Sequence, residues 1–97
     1  MDAKTIVEYH KKYNLQSWSK QAAINPLPIK DAEGIYLYDF DGNRYTDMSS
    51  QLVNLNVGHK NRQIIDAIRE QAEKYCYIAP SYASEPRSTL AKMVVDL

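Results

Sequence analysis

The stretch Ala32-Glu33-Gly34-Ile35-Tyr36-Leu37-Tyr38-Asp39-Phe40-Asp41-Gly42-Asn43-Arg44-Tyr45-Thr46-Asp47 decides the fold class. Tyr36, Tyr38 and Phe40 alternate with Ile35, Leu37 and Asp39. Period-two alternation of aromatic and branched residues suits a pleated strand. Asp41-Gly42 is a hairpin signal, because glycine tolerates the positive φ of such turns. Arg44-Tyr45-Thr46-Asp47 is then the return strand, and Ala32-Glu33-Gly34 turns the chain into the pair. Residues 29–48 therefore read as a short antiparallel meander.

Helices flank it. In residues 3–13, Ile6, Tyr9, His10 and Tyr13 recur at helical spacing, with Asp2 as a cap and Asn14 as a stop. Pro26 and Pro28 bar a helix from residues 17–28 and enforce an extended path. The second helix spans 62–75, with Ile64, Ile65, Ile68, Ala72 and Tyr75 on one face and Asn61 as N-cap. Arg62 with Asp66, and Glu70 with Lys74, are i,i+4 charge pairs. A third helix starts near Ser84-Glu85-Pro86, with Leu90, Ala91, Val94 and Leu97 as its stripe. Residues 49–60 and 76–83 read as apolar loops. The fold class is α+β.

Composition bounds the function. The chain has 97 residues, with 12 Lys+Arg against 12 Asp+Glu, so its formal net charge is zero. That balance argues against a non-specific nucleic-acid binder and against a polybasic membrane anchor. A hydrophobic share of 44% is too high for a disordered chain. No apolar run approaches the roughly 20 residues of a membrane span, and no signal-peptide pattern opens the chain. A single cysteine, Cys76, excludes an internal disulfide framework and fits a cytoplasmic setting.

The catalytic signals are weak. Asp39-Phe40-Asp41-Gly42-Asn43 resembles the start of a calcium loop, but with Gly42 sixth the twelfth ligand would be Met48. His10 reads as flanking a packed helix face, and His59 as satisfying backbone groups ahead of a helix; neither spacing makes a nucleophile–base pair with Cys76. Three separated glycines cannot cradle a phosphate. None of the eight lysines sits in a context that would desolvate it for Schiff-base chemistry. The eight tyrosines pack a sheet and an interface, or else Trp18, Tyr77 and Tyr82 line a ligand cleft; composition leaves this open.

Taken in order, the motifs carry a resemblance. The segment from Ala32 to Asp39, the Asp41-Gly42 turn, Tyr45-Thr46-Asp47, Asn56-Val57-Gly58-His59, Ile65-Asp66-Ala67-Ile68 and Glu85-Pro86-Arg87 resemble the N-terminal segment of class III pyridoxal-phosphate-dependent aminotransferases. Ser17-Trp18-Ser19-Lys20-Gln21 and Ser49-Ser50-Gln51-Leu52 look like the branch that acts on ω-amino acids, such as taurine, β-alanine or 4-aminobutyrate, with a 2-oxo acid as acceptor.

The resemblance implies a piece of the type I fold, covering residues 1–97 as an N-terminal segment: small-domain part plus the start of the large domain. It implies a homodimeric parent with both active sites at the interface. The phosphate loop, the Asp partner of the pyridine nitrogen and the Schiff-base lysine lie downstream in the family. By resemblance, Trp18, Leu52, Val53 and Tyr82 wall the substrate cleft, and Ser50 and Gln51 border the cofactor. Arg87 is structural, and no residue here is assigned a catalytic or metal-binding role. The expected reaction belongs to the parent, with pyridoxal phosphate as cofactor and an amino donor and a 2-oxo acid as partners. The 97-residue chain by itself is expected to be inactive, to bind no cofactor and to self-associate. The uncapped apolar stripe near Leu97 fits a fragment. The competing expectation is a free-standing, tyrosine-rich α+β interaction module without enzymatic activity.

Overall fold

The computed structural model describes residues 1–97, which divide into two compact units, Met1–Asn61 and Arg62–Leu97. The first unit opens with α1 (Ala3–Tyr13). The Asp2 carboxylate accepts from the Thr5 N–H at 2.8 Å, satisfying a donor that the first helical turn leaves without a partner. Asn14 closes the helix. Ala3, Thr5, Ile6, Val7 and His10 are the half-buried residues of α1, and Ile6, Val7 and His10 line a groove with Pro26, Leu27, Pro28 and Ile29. Tyr9 and Tyr13, expected on that stripe, lie outside it and meet each other edge to face with centroids 5.7 Å apart. His10 does flank the packed side. Asn14 Nδ2 lies 3.2 Å from its Nδ1, and its Nε2 lies 3.2 Å from Gln16 Oε1.

The expected extended path over 17–28 holds only in its second half. Residues 17–19 form a turn in which Trp18 has φ 57°, and Gln21–Ala23 make one 3-10 turn before the prolines straighten the chain. The meander follows as three antiparallel strands in the order β1 (Ile29–Glu33), β2 (Tyr36–Asp39), β3 (Arg44–Thr46). Ala32 faces Leu37 across β1 and β2, and Leu37 faces Tyr45 across β2 and β3. A bulge lies between Ile29 and Asp31.

The β2–β3 turn is built on Asp39, a buried residue. Its carboxylate accepts from the N–H groups of Asp41 and Asn43, from Asn43 Nδ2 and from the Tyr45 hydroxyl, all at 2.8–2.9 Å. The Asn43 side chain first, and then Tyr45 and the two main-chain donors, hold the carboxyl below its usual range against the opposing effect of desolvation. Gly42, at φ +84°, takes the left-handed position that ends this turn.

After β3, residues 49–60 read from the sequence as an apolar loop. The chain instead makes a single helical turn, α2 (Ser50–Val53), and then returns to the sheet. Gly34 and His59 exchange two main-chain hydrogen bonds, 3.1 and 2.8 Å. Gly58 lies against Gly34 so closely that a β-carbon would stand 3.0 Å from the Gly34 carbonyl oxygen. Lys60 Nζ also reaches Asp31 on β1 at 2.6 Å.

The second unit holds α3 (Arg62–Lys74) and α4 (Glu85–Val95). The expected Arg62–Asp66 and Glu70–Lys74 pairs form, at 2.9 and 2.8 Å. Pro86 sits in the first turn of α4, where it has no hydrogen bond to lose. Between the helices, residues 76–83 are irregular apart from a turn that Tyr82 N–H closes on the Ala79 carbonyl. Arg87 reaches back into this loop and donates to the carbonyls of Ile78, Tyr82 and Pro80 at 3.0, 3.2 and 3.5 Å. No hydrophobic residue is buried in either unit.

Candidate functional site

The residues expected to border a cleft come from three separate stretches of the chain. Ser50, Gln51, Leu52 and Val53 form α2 itself. Trp18 stands on its own turn after α1 and is 92% exposed. Tyr82, in the second unit, is exposed on the loop that Arg87 ties. Of these, α2 has the most unusual geometry.

All four residues of α2 have positive φ: 48° at Ser50, 50° at Gln51, 59° at Leu52 and 64° at Val53. The turn is left-handed. Its main chain bonds as a helix, with Val53 N–H donating to Ser49 and Asn54 N–H to Ser50, at 3.0 and 2.9 Å. For L-residues the left-handed form brings Cβ against the following carbonyl and costs about 1–2 kcal/mol per residue. A branched residue such as Val53 is the worst case. Nothing in the local sequence favours this turn, so the surroundings must impose it.

Asp47 does so from the N-terminal side. Its Oδ1 accepts from the Ser49 N–H at 3.2 Å, the Ser49 hydroxyl at 3.1 Å and the Gln51 N–H at 3.3 Å. Its Oδ2 accepts from His59 Nε2 at 3.2 Å. The side chains of Asp47 and His59 are 4% and 12% exposed. Burial alone would raise the Asp47 carboxyl, but the donors from Gln51, His59 and Ser49 outweigh it and bring the pKa down to about 2. With Asp47 ionised, the hydrogen of the contact belongs to His59 Nε2. Asn54 Nδ2 ties the other end, donating to the carbonyls of Gln51 and Leu52 at 2.8 and 3.3 Å.

The arrangement presents the side chains of α2 outward. Leu52 and Val53 are 66% and 73% exposed. No group of His, Cys, Asp and Glu is placed to hold a metal ion. Two residues escaped the sequence reading. Asp47 was read as a strand end, yet its carboxylate organises α2. His59 was read as satisfying backbone groups, yet its ring meets a carboxylate while its main chain pairs with Gly34. Asp47 could have been suspected, since Asp ahead of Ser-Ser commonly bonds main chain two to four residues on. The partnership with a histidine twelve residues later carries no local signal.

Comparison with known proteins follows this geometry closely. A family profile for class-III aminotransferases matches residues 17–97. Acetylornithine aminotransferase of Archaeoglobus fulgidus is 31% identical over 91 residues, covering 94% of this chain and 23% of that enzyme. The acetylornithine aminotransferase of Methanocaldococcus jannaschii is 31% identical over all 97 residues. The crystal structure of taurine:2-oxoglutarate aminotransferase from Bifidobacterium kashiwanohense, in complex with PLP and glutamate, superposes with a TM-score of 0.94 at 53% identity, over 99% of this chain and 21% of that one. An S-selective transaminase from Arthrobacter superposes at 0.89 with 30% identity. The chain thus spans less than a quarter of the length of the relatives it matches. Within that span the agreement is end to end, and the chain belongs to the class-III aminotransferases, a family that uses pyridoxal phosphate.

Proposed function

We propose that this chain is the N-terminal segment of an aminotransferase that moves an amino group from an ω-amino acid or amine to a 2-oxo acid. The observation that carries the donor class is the 53% identity to a taurine:2-oxoglutarate aminotransferase, against 31% to the acetylornithine enzymes. In this reading Trp18, Leu52, Val53 and Tyr82 wall the substrate cleft, and Ser50 and Gln51 border the cofactor. Their work is shape and exclusion of water. Family membership disfavours the competing view of a free-standing interaction module.

Pyridoxal phosphate, when bound to such an enzyme, supplies the carbonyl that takes up the amino group and the ring that stabilises the carbanion. The residues present here do not make a holding set for it. All eight lysines are exposed; Lys60, Lys74 and Lys92 are paired to carboxylates, and Lys12 lies over the Tyr13 ring. None is desolvated into an amine able to form the covalent link. The covalent chemistry is therefore assigned to residues beyond this segment.

The parent is proposed to be a homodimer. Large apolar side chains such as Ile68, Leu90, Met93 and Val94 stand more than 60% exposed, a surface that the rest of the enzyme and a second subunit would cover. A cytoplasmic location is proposed on the unpaired, exposed thiol of Cys76. The experiment is amino transfer by the full-length gene product from taurine, β-alanine, 4-aminobutyrate and acetylornithine to 2-oxoglutarate and pyruvate. Turnover of an ω-amino acid at least tenfold above acetylornithine is expected. The reverse order would overturn the donor class, and no transfer from any of them would overturn the activity.

A further inference from the structure

The strain in α2 requires a support, and the support has a traceable path. Gly34, at the end of β1, holds the His59 main chain through two hydrogen bonds of 2.8 and 3.1 Å. The His59 ring then holds Asp47 Oδ2 at 3.2 Å, and Asp47 Oδ1 holds the Ser49 and Gln51 N–H groups. Asp47 is fixed from its own main chain as well, donating to the Ile35 carbonyl at 2.8 Å. The sheet therefore reaches the first residues of α2 through two side chains that solvent hardly touches. Leu52 and Val53, at the far end of that path, are the exposed side chains whose direction depends on the reversed handedness.

We propose that Asp47 and His59 are positioning residues, a clamp that keeps α2 left-handed and so fixes where Leu52 and Val53 stand against the amino donor. The inference rests on the reading of Leu52 and Val53 as cleft wall. Neither clamp residue touches substrate. Without the clamp, α2 relaxes toward right-handed conformations, and Leu52 and Val53 leave the directions that shape the cleft. The consequence falls on how the donor is held, because a misplacement of about 1 Å is enough to lose about two orders of magnitude in rate.

The test uses the full-length enzyme with His59→Leu, His59→Gln and Asp47→Asn, and a wall variant carrying Leu52→Ala with Val53→Ala. Donor KM and kcat are measured for a short and a bulky ω-amino donor, with cofactor absorbance and the melting temperature followed alongside. His59→Leu and Asp47→Asn are expected to raise the short donor's KM about 10- to 100-fold. The preference between the two donors should shift while cofactor absorbance is kept. His59→Gln, whose carboxamide N–H can still donate to Asp47, should return KM to within about threefold of the parent. In the wall variant, adding His59→Leu should change donor KM no further, since the residues it positions are gone. Equal losses of melting temperature in His59→Leu and His59→Gln with donor KM unchanged would overturn the clamp. So would a His59→Leu effect of undiminished size in the wall variant. If Asp47→Asn does not fold, the two His59 variants decide. A wall variant that leaves donor preference untouched overturns the wall reading and the inference with it. A wall variant that shifts preference while His59→Leu does not overturns the clamp alone.

Discussion

At Asp39 and Asp47 two carboxylates perform the same task in two different turns. Each gathers main-chain and side-chain donors and fixes a turn that would otherwise be one of many. Both carboxyls lie below the ordinary range. A carboxylate with a depressed folded-state pKa stabilises above its unfolded value and loses that contribution as pH falls through the folded one. For Asp47 the window runs from its ordinary 3.8 down to about 2. Carbon-detected titration of the Asp47 carboxyl in the full-length protein should therefore give a midpoint near 2; a midpoint near 3.8 would mean that the donors do not hold it. Two glycines should also separate cleanly. Gly42 needs only its positive φ, since a β-carbon there would meet nothing within 4 Å, so Gly42→Ala should cost about 1–2 kcal/mol. Gly58 needs its positive φ and the close approach to Gly34, so Gly58→Ala should cost about 2–4 kcal/mol. Denaturant midpoints of the two variants check the order.

Among the elements, those with a local cause were legible and those with a distant cause were not. Asp2 and Asn14 bounded α1, Pro86 opened α4, and the Asp41-Gly42 turn joined β2 to β3, each through chemistry contained in a few neighbouring residues. The side of α1 that packs was misjudged. Val7, rather than Tyr9 and Tyr13, faces the groove over Pro26 and Pro28, and no property of the helix by itself announces where that proline segment lies. The left-handed sense of α2 was invisible for the same reason: Ser-Gln-Leu-Val has no glycine or asparagine to signal it, and the Asp47 carboxylate that binds the Ser49 and Gln51 N–H groups is itself held by a histidine twelve residues on. Of the expected site residues, the four of α2 and the two aromatics were named by resemblance, while the pair that supports them was not. Arg87, read as structural, has a visible task in tying three carbonyls of the 76–83 loop. Arg87→Met should loosen that loop, with faster amide exchange at Tyr82 and a loss of about 1–2 kcal/mol. Unchanged exchange at Tyr82 would show that the loop is held by other means.

As a whole molecule, the chain has secondary structure without an interior. Its helices and sheet are capped and bonded, yet no apolar side chain is buried and Leu97, Leu15 and Trp18 stand almost fully in water. Burial of apolar surface is the main term favouring a folded state, so these 97 residues expressed alone lack what a cooperative transition needs. The isolated chain should bind a hydrophobic dye, melt without a sharp transition and sediment as a concentration-dependent mixture. A clean monomer with a sharp melting curve would contradict this. No aldimine absorbance should develop with stoichiometric pyridoxal phosphate, since every lysine here is exposed and Lys60, Lys74 and Lys92 are paired to carboxylates.

The handedness of α2 also bears on how this segment can change over generations. At most positions of a protein, a substitution to glycine or asparagine is a loss. At 50–53 it would relieve strain, because those residues accept positive φ with little penalty. Drift alone should therefore carry these four positions toward small, permissive residues. Under the proposed cleft-wall role of Leu52 and Val53, glycine at 52 or 53 in a descendant would mark an enzyme whose donor does without that wall.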